Sequence, residues 1–260
     1  MKEITSINNP LIKKVHSLKE KKNRNEQGLF LLEGYKAIIE ALKSGIKLED
    51  IFIDKDFNRK IPDFPNIYSV NEQILRKIST TESPPEILAT AYQLKFSIND
   101  FFTSDNPVII ILENIKDPGN LGTIIRTAKA CNVSGIILTD ETVDIYNPKI
   151  VRSSAANLWK IPIIYISEKN KIKENLNKFK KSQFIATTVK KAQNTYLYYD
   201  IDYKKPTVLM FGSEAEGLSE ELLNQADKLI TIPMNEQVES LNLSISAGII
   251  LYESVRQRLH

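Results

Sequence analysis

The chain has 260 residues, of which 42% are hydrophobic and 26% charged. That is enough for one large α/β domain or two unequal ones, and it is unlike a disordered, collagenous or coiled-coil chain. A formal charge of only +3 excludes a protein that is basic throughout, so any nucleic-acid site must be a local concentration of cations. Cys131 is the single cysteine, and His16 and His260 stand near opposite chain ends, which excludes an intrachain disulfide and a thiolate metal cluster and leaves no recognisable metal pair.

The opening residues carry no apolar run behind their charges, and no later stretch approaches the roughly 18 apolar residues of a membrane span. A cytoplasmic protein with no membrane partner is expected. Apolar periodicity over 11–18, 29–32, 35–42 and 51–53 then alternates helical and extended patterns, which predicts a small α/β domain over residues 1–95. Lys13, Lys14, Lys19, Lys21, Lys22 and Arg24 are its densest cations and form the candidate RNA-facing surface, although such runs are also ordinary solvated faces. Residues 96–106 contain Asn99, Asp100, Ser104, Asp105 and Asn106 without sustained periodicity and read as a linker. The boundary is placed near residue 105.

Residues 107–260 form the expected second domain. Its first strand is the β-branched run at 108–112, continuous enough to be buried on both faces of a parallel sheet. Further strands are expected at 135–138, 161–166, 184–189, 207–211 and 229–232, with helical segments between most of them. The fold class is therefore α/β with a mostly parallel sheet, and ligands of such sheets bind beyond the carboxyl ends of the strands.

Three loops at those ends could carry chemistry. The first breaks a strand at Asp117, Pro118 and Gly119 and starts a helix, with Asn120 read as the N-cap and Arg126 on a face beside the buried stripe of Leu121, Ile124, Ile125 and Ala128. The second is Phe211-Gly212-Ser213-Glu214-Ala215-Glu216-Gly217. It lacks the lysine of a phosphate loop, and its two glutamates would repel phosphate, so a neutral or cationic ligand suits it better. The third runs from Ile232 and Pro233 to Ser240, Leu241 and Asn242 and opens the last helix, with Ser240 as its expected cap. Spacing alone also fits three ordinary strand-to-helix turns. The lysines between 169 and 181 read as a solvated helix face.

In this order and spacing the three loops resemble the signature motifs of the SpoU/TrmH family of SPOUT RNA methyltransferases. The likeness covers residues 107 to 258. A looser likeness, carried by residues 4–10 and 30–34, is to the N-terminal substrate-binding domain of the ribosomal-RNA enzymes of that family, whose fold is similar to that of certain small ribosomal proteins. The resemblance implies a deep trefoil knot at the C-terminal end of the catalytic domain, S-adenosylmethionine bound in the knot, and a homodimer that completes each active site. It implies methylation of a ribose 2′-hydroxyl, in ribosomal RNA rather than transfer RNA. By position it makes Thr187, Gly212, Ile232 and Leu241 cofactor-binding residues. Arg126, Asn120, Glu214, Ser240 and Asn242 become the catalytic group, with Arg126 acting either on the developing oxyanion or as an assisted base. No metal is implied. A non-catalytic RNA-binding protein of the same fold, acting in ribosome assembly, is the alternative, and an oxidoreductase is disfavoured because no G-x-G-x-x-G follows a strand.

Overall fold

The protein is described from a computed structural model that covers residues 1–140, 142–189 and 194–259; His260 lies outside the described residues. Two compact units emerge from the contacts, one of Met1–Lys95 with Asp144–Lys160 and one of Phe96–Val143 with Ile161–His260.

The first unit begins with β1 (Lys2–Ile4), α1 (Pro10–Ser17), α2 (Lys21–Gln27), β2 (Leu29–Glu33) and α3 (Tyr35–Lys43). It continues through β3 (Leu48–Asp54), β4 (Ile67–Val70), α4 (Glu72–Ile78) and β5 (Ile87–Tyr92). The Asn9 side chain accepts from Leu11 N at the start of α1, where Pro10 can occupy the first turn because its missing N–H would have no partner there. Asn71 caps α4 through Ile74 N. The five strands lie in the order β1-β4-β3-β5-β2, parallel on the β1-β4-β3 side and antiparallel where β5 meets β3 and β2. Ile12, Val15 and Leu18 pack with Ile74, Leu75 and Ile78 over Leu29, Leu31 and Phe52 to make its core.

The chain then builds β6 (Val108–Glu113), α5 (Pro118–Ala130) and β7 (Gly135–Thr139) of the second unit before returning to the first with α6 (Pro148–Ser153). Here the structure differs from the continuous 107–260 domain expected from sequence. Arg24, 2% exposed, explains the return. Its Nε and Nη2 donate to Asp144 Oδ2 at 2.9 and 2.6 Å, and its Nη1 donates to the carbonyls of Leu18 and Lys19 at 2.8 Å each. Burying a charge is tolerable only when it is paired and its donors are satisfied, as they are here. Tyr146 adds a ring contact with Phe30 at 4.8 Å, and its hydroxyl accepts from Leu94 N at 2.7 Å. Arg24 is therefore structural and leaves the expected RNA-facing row of cations; Lys14 is also paired, with Glu49 at 2.8 Å.

The second unit resumes with β8 (Ile163–Tyr165), α7 (Ile172–Asn177), β9 (Gln183–Thr187), β10 (Thr195–Leu197), β11 (Thr207–Phe211), α8 (Glu220–Leu223), β12 (Lys228–Thr231) and α9 (Leu243–Leu259). Its seven strands are ordered β10-β12-β9-β11-β6-β7-β8, and every pairing is parallel. The expected linker 96–106 is part of this unit: Phe101 is fully buried among Ile109, Ile137 and Phe184. Gly135 is the reason the ring fits, since a Cβ there would lie 2.3 Å from Phe101.

Strand order positions the site. β6 runs outward through β7 to β8, whereas β9, β12 and β10 lie on the other side, with β11 inserted next to β6. The strand order thus reverses across β11, and ligands of such sheets lie beyond the carboxyl ends, which here are the ends of β9, β11 and β12. The register pairs Phe211 with Leu112, so the first and second loops leave the sheet side by side. Among the described residues no helix is long and apolar enough to cross a membrane.

Candidate active site

Each loop is shaped by local bonds that differ in part from those expected. Asp117, not Asn120, caps α5, its carboxylate accepting from the N–H groups of Gly119 and Asn120. Asn120 is thereby released to point its side chain elsewhere. Asn242, not Ser240, opens α9: its Oδ1 accepts from Ser244 N at 3.0 Å and Ser244 Oγ at 2.7 Å. The second loop doubles back on itself, Gly217 N donating to Ser213 O at 2.9 Å. Gly212 permits this closure, because a Cβ at that position would sit 2.0 Å from the Gly217 carbonyl carbon.

The loops then lock to one another through side chains. Glu214 Oε1 accepts from Asn120 Nδ2 at 3.0 Å, Asn242 Nδ2 at 3.1 Å and Leu243 N at 3.0 Å. Asn242 Nδ2 also donates to Asn120 Oδ1 at 2.9 Å, so the three loops meet at one carboxylate. A second tie joins Asn114 Nδ2 to Glu216 Oε2 at 2.7 Å. Asn114 holds a left-handed φ of 56°, a conformation asparagine tolerates better than most residues.

Behind the second loop lies a group that the sequence reading did not single out. Glu113, 2% exposed at the end of β6, accepts from Ser219 N at 2.6 Å and Ser219 Oγ at 2.7 Å. The Ser219 hydroxyl is thus turned toward Glu113 and does not cap α8. Lys169 Nζ completes the group at 2.7 Å from Glu113 and 2.8 Å from Asp140. Burial works against its charge, but the hydrogen bonds to Asp140 and Glu113 win and raise its pKa above the ordinary lysine value. Lys169 therefore does not belong to a solvated lysine face. The signal in the sequence was a glutamate closing an otherwise apolar strand.

Beneath the loops is a cavity of about 360 Å³, within the range of small-molecule sites. Thr187, Gly212, Glu214, Ile232, Ser240 and Leu241 all line it. Its remaining walls include Phe211, Leu218, Ile230, Met234 and Ile250, with Glu216 as a second carboxylate. Such a lining suits a ligand with a flat apolar body and a positively charged part. Thr187 already donates its hydroxyl to Met210 O at 3.0 Å, so it shapes the wall. Arg126 stands apart: it is exposed on α5 and is not among the residues that line the cavity.

Residues 107–252 match the SpoU rRNA Methylase family. The chain belongs to that family. A second match, over residues 9–89, is to the MRM3-like substrate binding domain. This SpoU chain is 36% identical to a Synechocystis protein named as a tRNA/rRNA methyltransferase, over 98% of the chain and 94% of that relative. It is 29% identical to the 23S rRNA (guanosine(2553)-2′-O)-methyltransferase RlmP of Bacillus subtilis, over 97% of the chain and 98% of RlmP. Among solved structures, the AdoMet-bound rRNA methyltransferase from Sinorhizobium meliloti superposes with a TM-score of 0.88 at 33% identity, covering 100% of the chain and 99% of its own.

The Lys169 cluster yields a prediction for this SpoU site. Lys169→Met leaves Glu113 buried without its cation and should lower the unfolding free energy by about 3 kcal/mol. Adding Glu113→Gln should recover part of that loss in denaturant titrations. A Lys169→Met protein within about 0.5 kcal/mol of wild type would show that the cluster does not hold the loop.

Proposed function

We infer that this chain methylates a ribose 2′-hydroxyl of ribosomal RNA, using S-adenosylmethionine. The observation that carries the reading is the cavity enclosed by the second and third loops, apolar along its walls and flanked by Glu214 and Glu216. The apolar walls suit the adenine ring, and the carboxylates favour the sulfonium and ammonium charges, so the residues fit the cofactor. When bound, S-adenosylmethionine supplies an electrophilic methyl group. In this reading Gly212, Ile232 and Leu241 hold it, with Thr187 fixing the wall behind. The deep trefoil knot of the family belongs to the same reading.

Transfer is an in-line displacement, so much of the acceleration comes from holding the ribose oxygen on the axis of the methyl–sulfur bond. Arg126 would stabilise the oxyanion that develops as the hydroxyl proton leaves to solvent or to a substrate phosphate. A guanidinium stays protonated in proteins and is a poor base, which favours the electrostatic role. Asn120, Asn242 and Glu214 position the loops through their shared bonds, and Ser240 shapes the rim.

A homodimer completes the picture, because Arg126 lies outside the cavity of its own chain. The surface of α9 supports this. Leu243, Ala247, Ile250 and Leu251 are buried on one face, while Ile245 and Tyr252 on the other are 54% and 56% exposed, an apolar face that a second copy would cover. Sedimentation equilibrium should return twice the chain mass of 29.6 kDa; a monomer at micromolar concentration would remove the dimer from the reading. A ribosomal-RNA substrate would put the protein in the cytoplasm in this reading.

The deciding experiment supplies labelled S-adenosylmethionine with unmodified ribosomal and transfer RNA and maps the label. We expect label at a ribose 2′-oxygen of ribosomal RNA. Arg126→Lys should keep folding and cofactor affinity but lose at least tenfold in turnover, about 1.4 kcal/mol, because a point charge replaces a planar fork. Near-normal turnover would refute the role of Arg126. Cofactor and RNA binding without label on any RNA would favour the non-catalytic alternative.

A further inference from the structure

The first unit carries an open cleft of about 670 Å³ that is separate from the cofactor cavity. Two stretches far apart in sequence line it. Lys19, Arg76, Ser79, Thr80, Thr81 and Glu82 come from the N-terminal stretch, and Asn147, Pro148, Lys149 and Arg152 from the segment that returns to this unit. The substrate-binding family match ends at residue 89, so it does not include the second group.

The chemistry of the lining is one-sided. Four cations face a single lining carboxylate, Glu82. A second carboxylate, Glu33, lies against the floor but is engaged by Ser79 Oγ at 3.1 Å, Thr80 N at 2.9 Å and Thr80 Oγ1 at 2.6 Å. Arg152 Nη1 rests on the same Thr80 hydroxyl at 2.6 Å, which holds the guanidinium at the cleft while its Nε and Nη2 make no other bond among the described residues. Arg76 is shared with Glu72 at 2.6 Å. Lys19 and Lys149 have no ion pair among the described residues. Lys19 is partly buried, and its desolvation lowers its pKa against the raising effect of Glu33, so an added anion there would be favoured.

We propose that this cleft binds the phosphodiester backbone of the substrate RNA, with Lys19, Lys149 and Arg152 as its contacts. The proposal rests on the reading of the chain as an RNA methyltransferase and adds a docking site remote in sequence from the motif loops. Backbone binding is favoured over base readout because the lining is dominated by cations, which pair with phosphates, and holds no aromatic ring for a base to stack on. A planar guanidinium beside two flexible ammonium groups matches successive phosphates, since arginine can engage one phosphate through two N–H groups while lysines act as point charges. The inference also gives the returning segment a purpose: the buried Arg24–Asp144 pair fixes the chain just ahead of Asn147, Lys149 and Arg152.

Binding of the 260-residue chain to a transcribed, unmodified 23S ribosomal RNA fragment, measured by fluorescence anisotropy over a series of salt concentrations, tests this. The variants are Lys149→Ala with Arg152→Ala, and Lys149→Glu alone, which disturbs no internal bond and guards against misfolding. Lys178→Ala, at an exposed lysine that follows α7 in the other unit, is the control. We expect the double variant to lose about tenfold or more in RNA affinity, and the slope of log K against log salt to flatten by roughly one for each phosphate contact removed. Lys149→Glu should weaken binding at least as much as loss of one contact, and cofactor affinity should stay at the wild-type value in all variants. Wild-type RNA affinity and slope in both cleft variants would overturn the cleft while leaving the methyltransferase reading intact. Failure of the wild-type protein itself to bind the RNA would overturn the underlying reading and the cleft with it.

Discussion

A single carboxylate oxygen organises the catalytic unit. Glu214 Oε1, on the second loop, gathers donors from Asn120 of the first and from Asn242 and the backbone of Leu243 of the third, stretches separated by up to 122 positions in the chain. Without that acceptor, two amide side chains and a helix N-terminus would each need another partner. The carboxylate is exposed in the single chain, so water competes for its bonds and each is worth little by itself. Covering the site with cofactor, RNA or a second protomer removes that competition and strengthens the lock. Loop order and ligand binding are thereby linked.

The sheet makes such a meeting place available. Placing β11 beside β6 brings the first two loops off adjacent strands, and the Glu113–Lys169–Ser219 group anchors the far end of the second loop to the sheet. Glu214 is thus held on a loop closed at Gly212 and Gly217 and tethered at Ser219. One end of the loop is fixed by packing of backbone on backbone, the other by a buried ion pair. The same economy appears in the first unit, where Arg24 and Asp144 bring a distant segment into contact.

Much of this could be read from the sequence where the signal was local and repetitive. The β-branched run at 108–112 and its counterpart at 207–211 mark strands buried on both faces, because only a parallel sheet covered on both sides uses so many apolar residues in succession. The loops followed from the breaks in those runs. Caps were harder: Asp117 and Asn120, or Ser240 and Asn242, offer nearly equivalent oxygens, and the choice is made by Glu214, which recruits the asparagine side chains across the fold. Long-range pairings left no periodic trace. Nothing in the pattern around Asp144 announces a partner 120 residues earlier, and Lys169 looked like one of several surface lysines until its carboxylates were placed. The residues 96–106 read as a linker because their turn-forming residues hid one buried anchor, Phe101.

The most direct test of the central claim uses an indirect residue. Asn120 does not line the cavity, so in this account it influences the cofactor through Glu214, whose carboxylate also holds Asn242, the other side chain that Asn120 bonds. Calorimetric affinity for S-adenosylmethionine should be measured for Asn120→Ala, Glu214→Ala and the double variant. The account predicts that Asn120→Ala weakens binding in the wild-type background and has no further effect once Glu214 is gone, a coupling of about 0.5 kcal/mol or more. Equal losses from Asn120→Ala in both backgrounds would contradict it.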